Sequence, residues 1–247
     1  MLDLELLANR AFTAPLVAVT LTVFTTAGTT FVLAQHLQGV LALPPLQAAL
    51  WLLPSTVAGI ALSACSVTFA QRFRPSVLLT TGLVVAAIGT GVLTQADGPA
   101  ALAVLVTGMI VLRIGVVPVM ISSTDAIVGA APPERAGSAT ALQETCGELG
   151  LALGVTVLGG ISTAVYRAGL GGAIPGSVAP DAAEAARGGI GAAVELAARL
   201  PGAQGVDLLD QARRSWTDAL HISTALGAVI LAAAAVLVWN VQRRRVD

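Results

Sequence analysis

Apolar residues gather along this chain in six long runs, at about residues 13–36, 46–70, 77–95, 100–122, 137–162 and 217–240. Each is near the roughly 20 residues that a helix needs to cross a hydrocarbon layer about 30 Å thick. The runs are continuous, whereas membrane-barrel strands show alternating segments of about ten residues. The pattern predicts an all-α integral membrane protein with six spanning helices. Pro54 and Pro118 fall inside runs, where neighbouring helices can re-satisfy the backbone groups a proline frees and a kink is expected.

Polar positions between the runs set the topology. Arg10, Arg72, Arg74, Arg135 and Arg243–Arg245 flank the runs on one side by alternation, while the opposite short connections around 36–43 and 96–99 carry only Asp97 as a charged residue. The positive-inside rule makes the arginine side cytoplasmic, with both termini on it. The expected organisation is a cytoplasmic lead-in (1–12), five spans within 13–166, an extracytoplasmic loop (167–215), a sixth span (216–240) and a basic tail (241–247). The first run follows Asp3, Glu5 and Arg10 without a basic n-region or a small-residue cleavage site, which predicts a retained helix and not a signal peptide. Trp51, Tyr166, Trp216 and Trp239 fall near run ends, where aromatic rings favour the headgroup region. The long connection is rich in alanine and glycine, with five acidic and five arginine residues. It predicts short amphipathic helices on the bilayer face: Asp181–Leu200, weakened at Gly188 and Gly189 and ended by Pro201-Gly202, and Val206–Trp216.

Composition narrows the function classes. Of 247 residues 55% are hydrophobic and 11% charged, with a mean hydropathy of +0.84, far from a soluble globular chain. The formal charge is −1 and the basic residues, all arginine, are dispersed, so no nucleic-acid partner is expected. Cys65 and Cys146 lie within runs without metal-ligand spacing and read as buried free thiols. His36 and His221, near the outer ends of the first and sixth spans, form no metal or nucleophile constellation; an interface role is expected, with an external proton relay as the alternative. No phosphate-binding loop pattern occurs. Enzymatic chemistry, a metal and a bound cofactor are therefore not expected.

The polar residues inside the runs carry the candidate chemistry. Glu144 and Glu148 sit in the fifth run, in Ala141-Leu-Gln-Glu-Thr-Cys-Gly-Glu-Leu-Gly150, and intramembrane carboxylates are costly enough that function usually explains them. Thr140, Glu144 and Glu148 share one helix side, and Gly147, Gly150 and Gly154 the adjoining one, a small-xxx-small packing pattern. Arg113 in the fourth run and Glu148 each lie about eleven residues from the cytoplasmic end, roughly 16 Å deep. Matched depth predicts an Arg113–Glu148 ion pair, as a static tie or a gate. Glu144, one turn nearer the cytoplasm with no fixed positive partner, reads as the proton carrier, with snorkelling to the interface as the alternative. Asp125, Glu134 and Arg135 flank a short turn, where solvated capping is the default.

Several segments resemble one family. Ser123-Thr-Asp-Ala-Ile-Val-Gly-Ala-Ala-Pro-Pro-Glu-Arg-Ala-Gly-Ser138 and Gln143-Glu-Thr-Cys-Gly-Glu-Leu-Gly-Leu-Ala-Leu-Gly154 are similar to the 14-helix drug:proton antiporter branch of the major facilitator superfamily. Leu2–Phe12 resembles the lead-in to that family's ninth helix, and Ala70-Gln-Arg-Phe-Arg-Pro75 its short basic loop between the tenth and eleventh helices. Only the C-terminal six-helix bundle is represented. The resemblance implies export of hydrophobic or cationic compounds by alternating access, driven by proton entry across the cell membrane. It places Glu144 and Glu148 at proton coupling; Arg113, Gln143 and Asp125 are the candidate substrate or gating residues beside them. Gln143 departs from the family where some relatives carry a second acid, and Arg113 stands where small residues are common. The expected partners are the lipid bilayer, a small hydrophobic or cationic substrate, and a missing N-terminal half of six to eight helices or a second copy. A partial product, a truncated reading frame or a split transporter would each account for the length. A non-transporting scaffold and a small-solute uniporter or importer are the competing readings.

Overall fold

Helix starts and stops follow local chemistry in the computed structural model, which describes residues 9–72 and 74–243. The asparagine before the first helix caps it, Asn9 Oδ1 accepting from the Ala11 amide at 2.9 Å, which satisfies one of the free donors of the first turn. Prolines open α2 (Pro45–Arg72) and α3 (Pro75–Val92), positions where the missing N–H costs nothing. α1 (Arg10–Gln35) runs on through a π-helical turn at His36–Val40. α4 (Ala101–Ala130) and α5 (Ala136–Leu170) are joined through a 3-10 turn at Pro133–Arg135. Then come α6 (Pro180–Gly188), α7 (Ile190–Arg199) and the 41-residue α8 (Ala203–Arg243). The predicted lead-in before residue 9, Arg244, Arg245 and the side chains of Arg10, Cys65 and Arg72 lie outside the described residues.

Six of these helices, α1 to α5 and α8, are long and apolar enough to cross a membrane, and no strand occurs among the described residues. All the spanning helices but α3 are longer than their apolar runs, and α5 and α8 continue well past them. α1 occupies the centre, against α4, α5 and α8, while α3 packs on α4 and α8, and α2 leans mainly on α4. α2 is the least buried span, and Leu46, Leu50, Val57 and Ile60 project from it.

Lipid offers helices no hydrophobic reason to associate, so close backbone packing through small residues does that work. Between α3 and α4, a Cβ on Gly82 would lie 2.8 Å from the Gly115 carbonyl oxygen, and one on Gly115 would strike the backbone of Ala86. Between α1 and α5, a Cβ on Gly150 would lie 2.6 Å from the Thr20 carbonyl oxygen, and one on Gly154 would strike that of Phe24. Gly147 departs from the predicted packing stripe, because nothing stands within 4 Å of a Cβ there. Phe12 and Leu16 of α1 share a buried cluster with Ala139 of α5, joined by Leu142 and Cys146, so the α1-facing side of α5 runs through these residues, Gly150 and Gly154, and Gly147 stands off that line.

The 167–215 connection folds against the bundle as a cap. Ala183, Ala186, Ile190, Ala193 and Ala197 are buried along one side of α6 and α7, and join Leu208, Ala212 and Trp216 of α8 in the main core. Tyr166 Oη donates to the Ala186 carbonyl at 3.0 Å, and its ring meets Trp216 edge to face at 5.4 Å. Both aromatic residues are fully buried, so they pin the cap to the bundle and do not face headgroups. Gln211 Nε2 donates to the Gly169 carbonyl at 2.8 Å, and Arg167 pairs with Glu184. α6 breaks from α7 at Gly189 and the hairpin ends at Gly202, which has a φ of +57°, a backbone state that favours glycine.

Candidate functional site

α4 carries a half-buried stripe, Arg113, Val117, Met120 and Thr124, whose spacing of four, three and four residues holds it on one helix side. Along this stripe Val117 faces Gly59 of α2, its Cγ2 being 4.0 Å from a Cβ placed there. At the stripe's end Gln143 Nε2 of α5 donates to Thr124 Oγ1 at 2.8 Å. Gln143 therefore ties α5 to α4, while its Oε1 is buried without a partner. Asp125, next to that tie, is exposed and in no ion pair among the described residues.

Glu144 and Glu148 follow Gln143 on α5 and are both exposed. Arg113 is half-buried, its Nε enclosed without a hydrogen-bond partner, and it makes no ion pair among the described residues. The predicted Arg113–Glu148 pair is thus not formed. Depth along two helices was matched, but contact also needs a shared direction. α1 packs against both α4 and α5, which otherwise touch little, and Glu148 projects away from the bundle. Uncompensated charge is left at mid-depth: Arg113 stands 15 residues from one end of its Gly98–Ala130 span and 17 from the other (113 − 98 and 130 − 113).

A second polar region lies inside the bundle. Thr25 and Thr29 of α1 are fully buried with hydroxyls that lack partners. A Cβ on Gly227 of α8 would lie 2.8 Å from Thr25 Cγ2, 3.2 Å from Thr90 Cγ2 of α3 and 3.8 Å from Thr29 Oγ1. One turn beyond, Ser162 of α5 and Ser223 of α8 share a hydrogen bond of 2.6 Å. At the capped end His36 is buried with an unpartnered Nδ1, and His221 Nε2 stands 3.8 Å from Asp97 Oδ1. Sequence reading missed this hydroxyl seam. Its signal was available in the recurrence of Thr22, Thr25 and Thr29 at helical spacing within an apolar run.

No group of three or more metal-ligating side chains exists among the described residues. The arrangement is one six-helix membrane bundle with polar groups displayed at mid-depth on an unpartnered side, the architecture of half of a two-bundle, multi-pass membrane protein. Residues 3–155 match the family model described as Major Facilitator Superfamily, and the chain belongs to that family. It is 35% identical to the "Multidrug efflux pump LfrA" of Mycolicibacterium smegmatis over 99% of this chain and 48% of that protein. It is 28% identical to the "Methyl viologen resistance protein SmvA" of Salmonella typhimurium, over 94% of this chain and 47% of the relative. With the "Tetracenomycin C resistance and export protein" of Streptomyces glaucescens the identity is 29%, over 97% and 46%. The chain spans about half the length of the curated relatives it matches.

Proposed function

We propose that this chain forms the C-terminal bundle of a proton-coupled exporter of hydrophobic or cationic compounds in the cell membrane. The observation that carries the reading is the pair Glu144 and Glu148, exposed on α5 of a bundle that covers half of its efflux relatives. Carboxylates facing acyl chains are expensive, so the exposed side of α5 is best covered by a complementary bundle. Between two such bundles the carboxylates line a midplane site that each side of the membrane reaches in turn. A complementary N-terminal bundle is the favoured partner and a second copy the alternative. The arginine side is cytoplasmic in this reading, and both termini lie there.

Within this scheme Glu144 takes the proton. It has no ion pair among the described residues, and closure by a second bundle would enclose it. Protonation then competes with a cationic substrate for the same carboxylates. Gln143, fixed to Thr124, holds the adjoining turn of α5 in place. No cofactor is required, because the proton gradient supplies the energy. The scaffold reading loses its main support with the unformed Arg113–Glu148 tie.

The test uses this chain joined to a complementary N-terminal bundle and reconstituted in liposomes. An imposed pH gradient drives efflux of a cationic dye in the parent, and Glu144→Gln abolishes the gradient dependence. Undiminished gradient-driven efflux in Glu144→Gln would remove Glu144 from proton coupling.

A further inference from the structure

We infer that the capped end of the bundle holds a second, peripheral binding site for an organic monocation with an apolar body. A cavity of about 330 Å³ opens where α7 meets the end of α1, within the range of small-molecule pockets. It is an open groove lined by the apolar Ile190 and Val194 and by Gln35, Gln38 and Glu195. None of these three polar side chains has a hydrogen bond or ion pair among the described residues. Elsewhere in the cap Glu184 holds Arg167 and lies 3.8 Å from Arg187, while Arg199, one turn from Glu195 on α7, is in no ion pair with it.

Two structural devices build the cavity. The π-helical turn at His36–Val40 widens the end of α1, a departure from α-helix that recurs at functional sites. Gly39 in that turn lets α7 approach, since a Cβ there would lie 2.6 Å from Ile190 Cγ2. The contact fixes α7 on α1, and the cavity lies beside it. One carboxylate supplies a single negative charge, two carboxamides supply acceptor oxygens, and the apolar lining takes an aliphatic or aromatic body. An anion would meet Glu195, and a dication would leave one charge without a partner.

The site rests on the export reading only for its role, as a stop on the far side of the membrane that a released cation meets after the midplane carboxylates. Binding itself needs no transport, so the two proposals fail separately. The experiment measures equilibrium binding of benzyltrimethylammonium to the full chain in nanodiscs by isothermal titration calorimetry. Glu195→Gln is expected to weaken binding at least tenfold. Gly191→Leu fills the cavity without a backbone clash, because nothing lies within 4 Å of a Cβ at Gly191, and it is expected to abolish binding. Asp207→Asn, on an exposed turn of α8 outside the cavity, keeps parental affinity. Parental affinity in both Glu195→Gln and Gly191→Leu, or absence of binding to the parent chain, would overturn the site. Loss of binding in Glu148→Gln with parental binding in Gly191→Leu would assign the cation to the midplane instead.

Discussion

Replacing Gly154 by alanine sets a methyl group onto the carbonyl oxygen of Phe24, a backbone atom that no rotamer change can move. α1 and α5 must separate locally, which also loosens Gly150 against Thr20 and Gly28 against Leu158. Overpacking of this kind costs up to about 3 kcal/mol. Alanine returns about 1 kcal/mol through its better helix propensity, leaving a net loss of about 2 kcal/mol. Gly147→Ala is the matched control: same helix, about two turns away, same chemistry, and open space around the new methyl. It gains up to about 1 kcal/mol from propensity alone. The two variants should therefore differ by about 3 kcal/mol in reversible unfolding by sodium dodecyl sulfate in mixed micelles, followed by tryptophan fluorescence. A difference under about 0.5 kcal/mol would refute the backbone contact as the seam between α1 and α5.

Two further perturbations probe parts of the fold that do not share that seam. Arg113→Ala and Glu148→Ala should be additive within about 0.5 kcal/mol in the same assay, because the two side chains are unpaired; a coupling above about 1 kcal/mol would show a contact. Tyr166→Phe leaves the buried Ala186 carbonyl without its donor, at a cost of about 1–3 kcal/mol. Amide hydrogen exchange in α6 and α7 should accelerate while α3 and α4 are unchanged, and unaltered exchange in the cap would place its anchor elsewhere.

Span number and membrane class were legible because a run of about twenty apolar residues has one economical solution in lipid. Depth was legible too, since residues count off along a helix axis at a constant rise. Direction around the axis was not. Arg113 and Glu148 share a depth, yet α1 packs against both of their helices, and no pattern within α4 or α5 alone records that third neighbour. Gly147 failed for a related reason, since the side of α5 that meets α1 runs through Ala139, Cys146, Gly150 and Gly154, and the spacing of glycines alone did not record it. The cap was hidden by composition. Ala183, Ala186, Ile190, Ala193 and Ala197 recur at three- and four-residue spacing, a core-facing pattern written in residues too small to look hydrophobic. Trp216 and Tyr166 were taken for headgroup anchors because they stand at run ends, where the same aromatic chemistry serves an interior joint.

The length of α8 has a mechanical consequence. Its 41 residues measure about 60 Å, twice the hydrocarbon thickness, so one end stands clear of the membrane with α6 and α7 packed against it. A tilt of about 10° around the middle of such a rod carries Ala203 sideways by about 5 Å. Because α7 meets α8 on one side and the end of α1 on the other, that displacement falls on the junction between Ile190 and Gly39. Under the proposed alternating access, the last helix would act as a lever arm, converting a small rocking within the bilayer into a larger stroke at the surface.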